Sequence, residues 1–126
     1  MKQLKSFVTN KLGCNCSAEV FNIIKWQKDV RINDSIILNF KINVGNRLLI
    51  HIINIADITF LNENLLKLIS LGIEERNNNN FNRFRLVIIS YNITEINSIA
   101  QNVFNNLNIG DPKVHLHVMQ KTDIVL

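Results

Sequence analysis

Cysteine is nearly absent from this chain: there are two in 126 residues, Cys14 and Cys16, and both fall in the stretch "GCNCS". So small a number excludes a fold held together by a disulfide framework. Glycine is scarce and scattered, at Gly13, Gly45, Gly72 and Gly110. None of the four opens a strand-to-helix loop next to a Lys-Ser/Thr pair, which argues against a phosphate-cradling nucleotide site. Long apolar runs are missing as well. The richest stretch, "SIILNFKINVGNRLLIHIINIADITFL", is broken by Asn39, Lys41, Asn43, Arg47 and His51, so no membrane span is expected. The opening "MKQLKSFVTNKLGC" has no continuous apolar core or small-residue cleavage site, so no signal peptide is expected either. A cytoplasmic location follows as the expectation. Close thiols in that compartment are more often redox-active, catalytic or metal-binding than structural.

Acidic groups are missing where hydrolytic chemistry would need them. The strands expected below contain no Asp or Glu, which disfavours paired-carboxylate hydrolysis and the carboxylate-based metal nucleases. No Ser occupies a Gly-x-Ser-x-Gly elbow. The charge that is present is basic, with a net +4 and an isoelectric point near 9.3. Its basic residues are dispersed, with mild clusters at Lys2, Lys5, Lys11, Lys25, Lys28, Arg31 and at Arg76, Arg83, Arg85. Without denser charge and interleaved aromatics, this pattern reads as a solvated surface and argues against nucleic-acid binding. Asn (21) and Ile (20) are in joint excess, a mark of codon bias toward A and T. The "NNNN" of 77–80 reads as a permissive loop.

What remains is a chain with 47% apolar residues, enough for one domain over residues 1–126 with its own core. Ser17 and Glu19 suit a helix start, and Val20, Phe21 and Ile24 follow at helical spacing, so a helix is expected across "AEVFNIIKWQK". From Ile36 the pattern alternates, with Ile36, Leu38, Phe40 and Ile42 facing one way. "NVGN" is a turn signal and "RLLIHIINI" a second strand, giving a hairpin over 35–55. A helix is expected from Asn62, ending near Gly72 or in the Asn run. "FRLVIISY" reads as a strand covered on both faces, and a further helix starts at Asn92 and Glu95 in a capping-box-like pattern. "KVHLHVM" closes the series after Gly110 and Pro112. The expected fold class is therefore α/β, in the order α-β-β-α-β-α-β, with one mixed four-stranded sheet that has an antiparallel hairpin and parallel crossovers. The carboxyl ends of its parallel strands would carry Asn54, Asp57, Thr59, Ser90, Tyr91, Asn92 and Thr94. These read first as caps and turns.

Two candidate constellations carry chemistry. Cys14 and Cys16 lie two residues apart ahead of the expected helix, whose N-terminus would stabilise a thiolate. A disulfide between them would close a small, strained and readily reduced ring. The same thiolates could ligate a soft metal such as zinc, copper(I) or a cluster iron. His115 and His117 alternate on the last strand, share a face and could complete a Cys2His2 set, although about 100 residues separate the halves. The plainer reading is an edge strand with a polar and an apolar face. Likewise, His51 inside "LLIHII" reads as a core histidine.

The stretch "KLGCNCSAEVFNII" together with "GNRLLIHII" resembles small microbial proteins, without established activity, that open with an LGC-x-C-x-x-EVF segment and later carry a G-x-R-LLI strand. The resemblance implies that Gly13, Cys14, Cys16, Val20 and Phe21 belong together. The chain is similar to thioredoxin-like enzymes only in having cysteines at an expected helix start. Two functions are consistent with all this. The first is thiol exchange or sulfur transfer with a protein partner, with Cys14 and Cys16 as catalytic residues. The second is a non-enzymatic binding module, with a homodimer through the exposed hairpin edge as one form.

Overall fold

A computed structural model describes residues 6–12 and 22–124. Five strands form one mixed sheet in the order β1-β2-β3-β4-β5: Ile24–Arg31, Ile37–Val44, Leu48–Asn54, Arg83–Ile89 and Val114–Met119. The first three make an antiparallel meander, and β3, β4 and β5 run parallel. Only β2 opposes the rest. The two crossovers are the helices α1 (Ile58–Asn78) and α2 (Ile93–Asn106).

The mixed α/β class and the hairpin agree with expectation, but the strand count does not. Residues 24–31 form a strand, where the helical spacing of Val20, Phe21 and Ile24 predicts a helix running on through Lys28. Ile24, Trp26 and Lys28 also alternate with Lys25 and Gln27, and backbone pairing to β2 from Ile24↔Val44 to Arg31↔Ile37 decides between the two periods. Tertiary pairing overrides local propensity here. The sheet therefore has five strands, and the hairpin edge expected to be free is covered by β1. Residues 13–21, with Cys14, Cys16 and the start of the expected first helix, lie outside the described residues.

Turn chemistry sets the register of the meander. Asn33 Oδ1 accepts from the backbone N–H of Ser35 and Ile36, both at 2.8 Å, turning β1 into β2. Between β2 and β3, Gly45 (φ 64°) and Asn46 (φ 56°) both take the left-handed region that a type I′ turn requires. Asn43 reinforces it, its amide oxygen accepting from the Asn46 N–H and its amide nitrogen donating to Asn46 Oδ1.

α1 begins four residues before Asn62, because Asp57 is the cap: its Oδ1 accepts from the Thr59 N–H at 2.9 Å. Asp57→Ala is expected to lower stability by about 1 kcal/mol, read as a shift of the urea midpoint at unchanged slope. The helix also passes through Gly72. It ends where Asn80 adopts φ 59° and the Phe81 N–H reaches back to the Arg76 carbonyl, a Schellman closure with Asn in place of glycine. The Asn run is thus half helix and half cap. At α2, Asn92 donates to the Glu95 carboxylate and makes no side-chain cap to the backbone, so the expected capping box is only partly realised.

The two helices cover one face of β3–β5. Leu49, Ile53, Phe84, Leu86, Ile88, Val114 and Leu116 meet Leu61, Leu65, Leu68, Ile69, Ile96 and Ala100 there. On the other face Ile42, Val44, Leu48, Ile50, Ile52, Val87, Ile89 and Met119 pack with Phe7, Val8 and Leu12 of a short π-type turn, Phe7–Lys11. Covered on both sides, β3 and β4 are almost continuously apolar and buried. Among the described residues, no helix is long and apolar enough to cross a membrane.

Candidate functional site

Because the helices cover β3–β5, the helix-side face of the β1–β2 ribbon is left open beside the C-terminal half of α1. The result is a cleft of about 460 Å³ lined by Lys25, Gln27, Lys41, Asn43, Glu75 and Phe81, among others. Alternation along β1 and β2 turns Lys25, Gln27, Lys41 and Asn43 toward it. Glu75 arrives from α1 one turn beyond Gly72, on the helix face that points at the sheet.

Glu75 organises the wall. Its Oε1 accepts from His51 Nε2 at 3.2 Å and its Oε2 pairs with the Lys41 ammonium at 2.5 Å. The His51 side chain is 3% exposed and meets the Phe84 ring edge-on at 5.0 Å. Burial raises the Glu75 pKa, but the hydrogen bonds from His51 and Lys41 and their charges outweigh it, holding the carboxyl below its ordinary range. With its Nε2 on Glu75 and its ring against Phe84, His51 orients Glu75, and Glu75 holds Lys41 at the cleft wall.

No protein-family model, curated protein or solved structure matches this chain.

The residues singled out from the sequence are distributed as follows. Cys14 and Cys16 lie outside the described residues. His115 and His117 do share a face, opposite the helices, with stacked rings 6.4 Å apart. His115 Nε2 donates to the Pro112 carbonyl at 2.7 Å, and His117 lies beside Arg85. Among the described residues no group of three or more His, Cys, Asp or Glu is arranged to hold a metal ion. At the strand ends, Asp57 caps α1, Ser90 Oγ accepts from the Asn92 N–H at 3.2 Å, and the Asn54 N–H donates to Asn39 Oδ1. They serve as caps and turns.

Sequence reading missed Lys41, Glu75 and Arg85. A signal existed for the last, a lone cation inside "FRLVIISY". Glu75 could have been found as a polar position on the apolar stripe of Leu61, Leu65, Leu68 and Gly72. Nothing local marks Lys41, which matters only because α1 lies over it.

Burial, with the Arg85 guanidinium and His115 adding to it, pushes the His117 imidazole down to about 4. The sign of its contribution follows from linkage. The folded state binds that proton less readily than the unfolded chain, so stability falls as pH drops from about 6.5 toward 4 and levels off below. Replacing His117 by Gln is expected to flatten this part of the curve, checked by urea unfolding at pH 7, 6, 5 and 4. An unchanged slope in the variant would remove His117 as its source.

Proposed function

We propose that this protein is a non-enzymatic binding module that seats an acidic segment of a protein partner in the cleft between β1–β2 and α1. The observation that carries this reading is the chemistry of the cleft wall. Both carboxylate oxygens of Glu75 are occupied, while the accessible polar groups around the opening are ammonium and amide groups: Lys25, Gln27, Asn43, Asn46 and Asn79. Such groups recognise acceptors without breaking bonds. Leu49 and Phe81 supply an apolar floor, as ligand clefts usually do. Pairing of a second chain along the outer edge of β1 is disfavoured by Lys25, Lys28 and Arg31 and by Asp29 at φ 51°.

Titration of the isotope-labelled protein with hexaglutamate is expected to move backbone signals of Lys25, Lys41 and Asn43 saturably, and to weaken roughly tenfold in Lys25→Glu. A Cys14→Ser, Cys16→Ser double variant should bind equally well. Shifts spread evenly over the surface, or binding lost with the cysteines, would refute the module reading.

Thiol exchange through Cys14 and Cys16 is the second reading. It is favoured by the sequence itself, in which the chain's two cysteines stand two residues apart in "GCNCS". Iodoacetamide alkylation at pH 7 that is no faster than that of free cysteine would end it.

A further inference from the structure

The β4–β5 end of the sheet face opposite the helices gathers four basic side chains. Arg83 and Arg85 alternate with Val87 on β4, and His115 and His117 alternate with Met119 on β5. The parallel register sets Arg85 opposite His115 and Val87 opposite His117, so Arg85 neighbours one imidazole directly and the other diagonally. Arg85 is 5% exposed, and its Nε–H has no acceptor among the described residues. His117 Nε2 is likewise buried without a partner there. An Arg cannot shed its proton to escape this situation, and leaving a buried charged donor unmet is costly.

The carboxylates that flank β5 in the chain have other partners. Asp123 pairs with Lys11 and accepts from the Gln120 N–H, and Asp111 pairs with Arg76. Among the described residues, none forms an ion pair with Arg85. The flanking cluster of Val87, Ile89, Met119, Phe7 and Leu12 is apolar, and a weakly polar wall strengthens any charge interaction beside it. A metal cation would be repelled by Arg83 and Arg85. An oxyanion fits: the guanidinium edge offers a planar pair of donors, an imidazole N–H adds another, and a doubly charged group offsets more of this cluster than a carboxylate can.

We propose that Arg85 and His117, with Arg83 and His115 beside them, bind a phosphate group on the sheet face opposite the helices. The site is independent of the cleft. Its phosphate would come from the free ion, from a sugar phosphate or from a phosphorylated side chain, which share the same recognised chemistry.

The test uses the full chain, isotope-labelled, at pH 7 and constant ionic strength, with inorganic phosphate, glucose 6-phosphate and phosphoserine as probes and acetate as control. Phosphate probes are expected to shift the His115 and His117 imidazole signals saturably, with a Kd on the order of 1 mM, and to raise the unfolding midpoint. Arg85→Gln and His117→Gln should each weaken the response roughly tenfold, while Lys28→Gln, on the same face, leaves it unchanged. Should Arg85→Gln fail to fold, Arg85→Lys with His117→Gln gives the same comparison. Preference among the three probes names the source of the phosphate. Imidazoles that respond equally to acetate, that stay still with every probe, or that respond normally in both variants would overturn the proposal.

Discussion

Gly72→Ala is expected to destabilise the protein by about 2 kcal/mol, lowering its unfolding midpoint by roughly 5–10 °C. Local propensity points the other way, since alanine in a helix interior is favoured over glycine by about 1 kcal/mol. Packing wins because there is no room: a Cβ on Gly72 would overlap the tip of the Phe84 ring. Phe84 is fully buried in the helix-side core, and its ring edge holds His51, so the ring cannot retreat without disturbing the Glu75 chain. The remaining relief is for α1 to lift from β4, which uncovers Leu68 and Ile69. Phe84→Leu frees space at the same point, so the Gly72→Ala, Phe84→Leu double variant should be more stable than the two single losses predict, by about 1 kcal/mol. An alanine variant as stable as the parent would show that the helix sits farther from the sheet than this close approach requires.

Glu75→Gln is expected to cost about 2–3 kcal/mol at pH 7, because it removes one partner of a largely buried charge cluster and leaves the other two facing an amide. The value lies below that of a fully buried pair because the Lys41 and Glu75 side chains keep 29% and 23% of their exposure. The loss has a defined pH dependence. The folded-state pKa of Glu75 is depressed, so its contribution is complete above the ordinary value of 4.5 and disappears as pH falls through the lower folded value. Unfolding free energies of parent and variant should therefore stand apart at pH 7 and 5 and converge only as pH falls through the lowered folded-state value. The His117 slope is common to both proteins and cancels in the difference. A gap that persists unchanged in acid would mean that the amide fails on shape rather than on charge. Loss of Glu75 should also release Lys41 from the cleft wall, weakening hexaglutamate binding less than Lys25→Glu does.

The parts of the fold that were legible share one property: their periodicity is set by neighbours close in the chain. The Gly45–Asn46 turn, the alternation of β2 and the apolar run of β4 each declare themselves within about a dozen residues, whereas the Asn33 turn was seen only in the structure. β1 did not, because Ile24, Trp26 and Lys28 satisfy a helical and a strand period over so short a stretch, and only their partners on β2, Val44, Ile42 and Phe40, choose between them. The N-terminus of α1 was displaced for a similar reason, Asp57 and Asn62 both being competent caps.

By itself the sequence determined the α/β class, the hairpin, the two crossover helices and the common face of His115 and His117, since these follow from backbone geometry and residue spacing. Only the tertiary structure decided that β1 joins the sheet, that Gly72 must lack a side chain, that His51, Glu75 and Lys41 form one chain of contacts, and that Arg85 is buried beside His117 without an acceptor. Each of these depends on which element lies over which. Helix-on-sheet packing brings together residues tens of positions apart, and local spacing contains no record of that distance.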